Sequence, residues 1–390
     1  MIVILLFLAL LSLLLAAHSF VTYPLSLVLL RALLSNPPVQ DSDTKTKASL
    51  ACGRERIAML MCAYNEERVI QAKIDNLLSL RGSEPDLEIH VYVDAGNDRT
   101  GEILQGYGAQ IHLHLATERH GKTHGMNLLV AKTQAPLLVF TDANVLVDCA
   151  ALTNLRRQFD DPAVGCVAGT IKFTNADESV TAGSGTAYWR FEEWLKRLEG
   201  ETGSVMGATG GLFAIRASAH RPAPDHIIDD MYVSFMTLCA GFRIVQATDV
   251  IGYEESVSSM REEFRRKVRI ACQAFNAHRL IWPELAKAGP MTIYKYISHK
   301  YLRWLTIYFL AAAAIFLEMA VLAASMPQLA LLLLGCGLIA VEAGHYRKVK
   351  PFVQIVDLLS AFLGTGLGVW RSVRGELYQT WTPAASIRKS

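Results

Sequence analysis

The segment Leu137-Leu138-Val139-Phe140-Thr141-Asp142-Ala143-Asn144 is an apolar run that stops at a carboxylate, with a carboxamide two positions later. A buried strand ending this way delivers hard oxygen ligands to the carboxyl edge of a sheet, where open α/β sheets bind their ligands. Oxygen donors there suit Mg²⁺ or Mn²⁺ holding a diphosphate. Taken alone, the same residues also describe a strand followed by an Asx turn. Three more acidic sites share the pattern. Ala63-Tyr64-Asn65-Glu66-Glu67 follows the run Ile57–Cys62. Asp94-Ala95-Gly96-Asn97-Asp98-Arg99-Thr100 follows Leu87–Val93, and Asp229-Asp230 follows His226-Ile227-Ile228. Each has a plain structural reading as a helix cap or turn; Asp229-Asp230, for instance, would cap a helix over Met231–Ala240. All four in one topological order are harder to explain as turns. Together they supply what transfer from a nucleotide-sugar needs: an acid for the base or ribose, a metal-binding pair for the diphosphate, and a carboxylate to deprotonate an attacking hydroxyl. Cations must also stabilise the charge that builds on the leaving diphosphate.

The elements that must position these residues alternate. Strands are expected at Ile57–Cys62, Leu87–Val93, Ile111–Leu115, Leu137–Phe140, Val164–Thr174 and Leu212–Ile215. Helical spacing of apolar residues marks Glu67–Leu80 through Ile70, Ile74, Leu77 and Leu78, and marks Thr123–Lys132. Longer helices are expected over Ser179–Leu198 and Ser258–Ile281. This alternation predicts βαβ units and an α/β, Rossmann-like, mostly parallel sheet. A dinucleotide-dependent oxidoreductase is disfavoured, because no G-x-G-x-x-G follows the first strand.

The 390-residue chain is 52% hydrophobic and only 19% charged, with mean hydropathy +0.25. The apolar excess sits at the ends. Met1–Leu30 holds no Asp, Glu, Lys or Arg, and exceeds the roughly 20 residues that cross a bilayer. It lacks a basic leader, so it reads as a signal anchor. Trp304–Met326, Leu329–Val341 and Phe352–Trp370 are further apolar segments; the first two read as a helical hairpin. Arg31, Lys45, Lys47, Arg54 and Arg56, then His299, Lys300 and Arg303, and then Arg347, Lys348 and Lys350 place the polar middle in the cytosol of a multi-pass cell-membrane protein. The expected divisions are a transmembrane helix at 1–34, a linker at 35–54, a sheet domain at 55–256, interfacial helices at 257–300, transmembrane helices at 301–372 and a tail at 373–390. A net charge of +2 gives no case for nucleic acid. Seven scattered cysteines without CxxC spacing fit reduced thiols in the cytosol.

At this point the sequence resembles a family 2 glycosyltransferase with a GT-A catalytic domain. It is most similar to the membrane-integrated synthases of β-linked polysaccharides, the cellulose, hyaluronan, poly-N-acetylglucosamine and chitooligosaccharide groups. The resemblance covers about Ile57 to Ile281 and the membrane layout. It implies a UDP-sugar donor, Mg²⁺ or Mn²⁺, and a saccharide or glycolipid acceptor. Ala63-Tyr64-Asn65-Glu66 resembles the opening nucleotide-binding motif, and Asp94 the uridine-contacting aspartate. Arg119-His120-Gly121-Lys122 resembles the basic glycine-containing loop, with Lys122 near the nucleotide. Asp142-Ala143-Asn144 stands at the metal motif, with Asp142 and Asn144 as ligands. Gly207-Ala208-Thr209-Gly210-Gly211 resembles the acceptor loop, so Gly210, Gly211 and Asp229 are expected near the acceptor. Asp230 is expected as the general base. Arg265-Arg266-Lys267-Val268-Arg269-Ile270 falls where processive synthases carry Q-x-x-R-W, implying Arg269, with Arg266, for the diphosphate.

Two departures limit what the resemblance implies. Asn144 replaces the second metal-binding aspartate, so cation binding leans on Asp142 and the diphosphate itself. Ile270 stands in place of a tryptophan that would stack on the acceptor, which puts processive elongation in question. Lys267 and its basic neighbours also suit lipid headgroups. Tyr188, Trp189, Phe191 and Trp194 read as interfacial anchors or core. Glu192 and Glu193 with Lys196 and Arg197 read as a solvated helix face. Glu318 and Asp357 interrupt apolar spans, and each is expected to face protein or a polar path.

Overall fold

The computed structural model describes residues 1–34, 55–174, 180–255, 260–347, 349 and 352–381. The expected linker at 35–54 therefore lies outside the described residues, as do the side chains of Tyr188 and Trp189. The chain divides into two units. One comprises Met1–Leu29, Met260–Phe275 and Tyr294–Glu376; the other comprises Leu30–Ser259, Asn276–Ile293 and Leu377–Ser390.

The first unit is helical and begins with α1 (Ile2–His18) and α2 (Thr22–Leu33). The single N-terminal span expected over 1–34 is not continuous: the two helices meet at 59°. Pro24 gives the reason. It is tolerated in the first turn of α2 but cannot donate a hydrogen bond within a through-going helix. Polar side chains at the bend find partners in the same unit. The Ser19 hydroxyl donates to the Ser298 carbonyl at 2.6 Å, and His18 Nε2 lies 2.9 Å from the Ser298 hydroxyl.

The second unit holds the sheet, whose strands lie side by side in the order His112–Leu115, Glu88–Val93, Ile57–Ala63, Leu137–Asp142, Leu212–Arg216, Val164–Phe173, Arg243–Glu254 and Leu146–Val147. β1 (Ile57–Ala63) is buried along its whole length, as befits a central strand covered on both faces. α3 (Ile70–Ser79) turns Ile70, Ile74 and Leu77 to the core and buries Lys73 with them. β2 (Glu88–Val93), α4 (Thr100–Gln105), β3 (His112–Leu115), α5 (Lys122–Lys132) and β4 (Leu137–Asp142) complete a parallel half-sheet. α5 lies close on this half because Gly125 has no side chain: a Cβ there would sit 2.3 Å from the Tyr92 ring. β5 (Leu146–Val147), α6 (Ala151–Phe159), β6 (Val164–Phe173), α7 (Val180–Glu201), β7 (Leu212–Arg216), α8 (Asp229–Cys239) and β8 (Arg243–Glu254) follow. β7 enters antiparallel between β4 and β6, and β6 pairs parallel with β8. The parallel sheet expected from the βαβ pattern is thus continued by a mixed half. β8 has no mark in the sequence pattern, because polar residues and Gly252 interrupt its alternation.

The helical unit resumes with α9 (Met260–Leu285) and the end of α10 (Pro290–Tyr296); α9 from Asn276 onward and α10 up to Ile293 belong to the sheet unit. Among the described residues, α11 (Thr306–Ala323), α12 (Pro327–His345) and α13 (Phe352–Val373) are the three helices long and apolar enough to cross a membrane. The bent pair α1–α2 passes the same test when taken together. Glycines let these helices approach: the backbone of α9 at Val268 lies 2.4 Å from where a Cβ on Gly368 would be, the small-residue packing usual between membrane helices. Glu318 and Asp357 are half-buried within α11 and α13.

Candidate active site

The ends of β1 and β2 are locked together. Asn65 and Ala95 both adopt left-handed backbone conformations, with φ of 54° and 51°. Asn65 Nδ2 donates to Asn97 Oδ1 at 2.7 Å, and Asn97 N–H returns a bond to Asn65 Oδ1 at 2.9 Å. Glu66 is buried, and its N–H donates to the Thr100 hydroxyl at 2.8 Å. Ala63, at the buried end of β1, accepts from Asp94 N–H at 2.9 Å. The motif after β1 thereby frames a corner that holds the half-buried Tyr64 ring.

Asp94 is wholly buried. Its carboxylate accepts the backbone N–H of His120 at 2.7 Å and of Gly121 at 3.1 Å, and Arg119 Nε lies 3.5 Å away. Asp94 therefore fixes the basic loop that leads into α5. Arg119 in turn lays its guanidinium 3.5 Å over the Tyr64 ring. A segment from the far end of the chain completes this corner. Arg119 Nη2 donates to the Trp381 carbonyl at 2.6 Å, Gln379 Nε2 donates to the His120 carbonyl at 2.9 Å, and the Trp381 ring meets Tyr64 edge-on with centroids 6.1 Å apart. Gly121, at φ 94°, leaves room for this segment: a Cβ would lie 2.1 Å from the Gln379 carbonyl oxygen.

Beside this corner, Lys122 gathers the acids. Its ammonium donates to Asp142 Oδ1 at 2.7 Å and lies 3.7 Å from Asp229 Oδ2. α5 positions the acid pair as well as the lysine, since the Thr123 hydroxyl donates to the Ile227 carbonyl at 2.6 Å and Asn127 to the Ala223 carbonyl at 2.7 Å. Asp229 and Asp230 occupy the first turn of α8, where the helix dipole favours them; Ile228, not an aspartate, is the N-cap residue. Burial alone would lower the Lys122 ammonium, but Asp142, Asp229 and Asp230 outweigh it and hold its pKa raised. Burial, then the charge of Asp229, pushes the Asp230 carboxyl up to about 6, in the range suited to proton transfer near neutrality. Gly210 packs on this carboxyl, because a Cβ there would lie 2.8 Å from Asp230 Oδ2. Gly211 ties the loop to β4 by accepting from Asp142 N–H at 3.3 Å. Lys196 is buried rather than solvated and donates to the Thr209 hydroxyl at 2.6 Å. The expected solvated face of α7 instead supports the Gly207–Gly211 loop from below.

Asn144 Nδ2 donates to Glu254 Oε1 at 3.0 Å. That bond directs the amide nitrogen to β8 and leaves the amide oxygen as the donor atom available to a cation. Among the described residues no group of three His, Cys, Asp or Glu side chains forms a metal cage. Yet the donors fit a hard cation that keeps diphosphate or water ligands: the Asp142 carboxylate and the Asn144 amide oxygen. Arg266 and Arg269 belong to α9 in the helical unit. Arg266 pairs with Glu263 at 3.5 Å, and Arg269 Nη1 donates to Gln273 Oε1 at 3.1 Å.

Three participants escape sequence inspection. Glu254 ends an unmarked strand, and Trp381 lies 262 positions from its partner Arg119. Arg119 itself was legible only as part of a basic loop; its stacking on Tyr64 depends on Asp94 fixing that loop.

Residues 59–222 match the family described as Glycosyl transferase family 2. The sheet around that segment has the GT-A fold. An N-acetylglucosaminyltransferase from Rhizobium leguminosarum bv. viciae is 21% identical over 272 residues, which are 65% of this chain. The match spans 62% of that relative's own length, less than two thirds. A second N-acetylglucosaminyltransferase, from Rhizobium meliloti (strain 1021), is 21% identical over 316 residues, covering 75% of this chain and 73% of that protein. Among solved structures, the mannosyltransferase PcManGT from Pyrobaculum calidifontis in complex with GDP-Man and Mn²⁺ superposes with a TM-score of 0.69. It is 21% identical, over 95% of this chain and 99% of that one. At that identity the likeness speaks for the fold.

Proposed function

We propose that this chain is a membrane-bound inverting glycosyltransferase. It moves a sugar from a UDP-sugar to a hydroxyl of a β-linked saccharide or glycolipid acceptor, with N-acetylglucosamine the sugar that its relatives favour. The observation that carries the reading is the single ammonium of Lys122 held among Asp142 and Asp229, with the raised Asp230 carboxyl next in the chain and backed by Gly210.

In this reading the Tyr64, Arg119 and Trp381 corner receives the nucleotide base, and Asp94 holds the loop that presents Arg119 and Lys122. Mg²⁺ or Mn²⁺ at Asp142 and Asn144 would neutralise the diphosphate as its bond to the anomeric carbon breaks. Lys122 adds a fixed positive charge beside the leaving group, preorganised by its carboxylate partners. Asp230 accepts the proton of the attacking acceptor hydroxyl. One base suffices for inversion, whereas retention through a covalent intermediate requires a second carboxylate acting as nucleophile. Arg269, with Arg266, is proposed for the leaving diphosphate on the resemblance of its motif. The three apolar helices and the bent N-terminal pair support a multi-pass membrane location, and flanking basic residues support a cytosolic catalytic domain.

The test is a donor screen on the full-length protein in detergent with Mn²⁺. Candidate donors are UDP-N-acetylglucosamine, other UDP-sugars and GDP-mannose, the last because PcManGT is described with it. Nucleoside diphosphate release and product mass are read together. UDP-N-acetylglucosamine is expected to give UDP and a lengthened acceptor. No release from any donor overturns the reading, and products with one added sugar only would favour single transfer to a lipid carrier.

A further inference from the structure

α3 carries two polar residues three positions apart, and so on one face of the helix. Both face the turn that holds Asp142 and Asn144. Lys73 is fully buried, with 0% of its surface exposed. Its ammonium donates to the Thr141 hydroxyl at 2.9 Å and to the Val145 carbonyl. Asn76 brackets the next strand residue on both sides. Asn76 Nδ2 donates to the Val147 carbonyl at 2.9 Å, and Asn76 Oδ1 accepts the Val147 N–H at 2.8 Å. The turn from β4 to β5 is therefore gripped at both ends from behind. The Thr141 hydroxyl passes the restraint on, donating to the Gly211 carbonyl at 3.2 Å, in the loop that packs on Asp230.

Burying an ammonium on neutral oxygen partners is costly. A methionine or leucine would fill the same space on an otherwise apolar helix face without that cost. Burial lowers the Lys73 pKa to about 7, and the charge of Asp142 is the influence opposing it. The arrangement is explained if what matters is the shape of the turn and not the stability of the core. Backbone carbonyls at Val145 and Val147 have few other ways to be held with their chain curving around two cation-facing side chains.

We propose that Lys73 and Asn76 are positioning residues that shape the Thr141–Val147 turn so that Asp142 and Asn144 present their oxygens together to a divalent cation. The proposal rests on the reading of Asp142 and Asn144 as cation ligands.

The test compares Lys73→Met, Asn76→Leu and the ligand control Asp142→Ala in the full-length protein in detergent. The Mn²⁺ dissociation constant is measured by electron paramagnetic resonance with UDP present, alongside UDP affinity without metal and hydrogen exchange over residues 141–147. Lys73→Met and Asn76→Leu are each expected to weaken Mn²⁺ binding about 10-fold or more, to speed exchange at Val147, and to leave metal-free UDP binding unchanged. A purely structural role would lower the melting temperature without moving the Mn²⁺ constant, and that result overturns the proposal. Should Lys73→Met fail to fold, Asn76→Leu decides alone, because its loss removes one bracket and no buried charge. If Asp142→Ala also leaves Mn²⁺ binding intact, the ligand assignment itself has failed, and the clamp falls with it.

Discussion

The Lys122 ammonium donates to Asp142 at 2.7 Å while lying 3.7 Å from Asp229, so a single cation joins the end of β4 to the start of α8. This tie sets the distance between the side that would hold the diphosphate and the side that would hold the acceptor. Lys122→Met removes the fixed charge proposed to stand beside the leaving group. It is expected to lower kcat about 100-fold or more, with UDP release followed under saturating donor. It also removes a pull that keeps the Asp230 pKa down, so any residual activity should need higher pH.

The pH dependence follows from Asp230. Its carboxyl is raised, to about 6, so below that pH it carries a proton and cannot accept another. The rate should therefore be high above about pH 6 and fall as pH drops through that value. Asp229→Asn removes a neighbouring negative charge that contributes to the rise, and should move this acidic limb downward. Profiles of kcat/KM for the two proteins check the sign; an unmoved limb would assign it to another group.

In the proposed reading, Trp381 bears on the donor and not on the acceptor side. The Trp381 ring meets Tyr64, and its carbonyl holds Arg119. Trp381→Ala should raise the donor KM roughly 3- to 10-fold, leaving kcat within about twofold. A kcat loss with unchanged KM would remove the segment from the nucleotide corner.

Asn144 and Glu254 should behave as a pair. Asn144→Asp, although it restores a second acidic ligand, sets two carboxylates at the 3.0 Å separation now bridged by an amide N–H. Alone it should weaken Mn²⁺ binding about 10-fold, the size of effect seen when a ligand loses its outer partner. Adding Glu254→Gln returns a donor to that bond, and the double variant should bind Mn²⁺ more tightly than Asn144→Asp alone in the same titration.

Much of this arrangement is legible in the chain. β1, β2 and β4 announce themselves because strands buried on both faces read as uninterrupted apolar runs, and their carboxyl ends deliver Asn65, Asp94 and Asp142 in order. Lys122 and the pair Asp229-Asp230 stand out by motif, and the structure separates the two acids: Gly210 packs on Asp230, while the Lys122 ammonium lies 3.7 Å from Asp229. What stays hidden is non-local or electrostatic. The antiparallel entry of β7 depends on a return across the sheet that periodicity does not encode, and β8 is too polar to show. Lys196 looks like a surface residue until Thr209 is seen beside it. The break between α1 and α2 was marked by Pro24, but the hydropathy of the surrounding residues overrode that signal. Trp381 and Gln379 reach Arg119 and His120 across more than 250 positions, and no local pattern announces such a pairing.

The central claim is inverting transfer with a single base. Its most direct test is the anomeric configuration of the product, read by nuclear magnetic resonance after incubating the full-length protein with α-linked UDP-N-acetylglucosamine, Mn²⁺ and a saccharide acceptor. The account predicts a β-linked product, absent when Asp230 is replaced by asparagine. An α-linked product, or the same β-linked product formed at the wild-type rate by the Asp230→Asn protein, would contradict it.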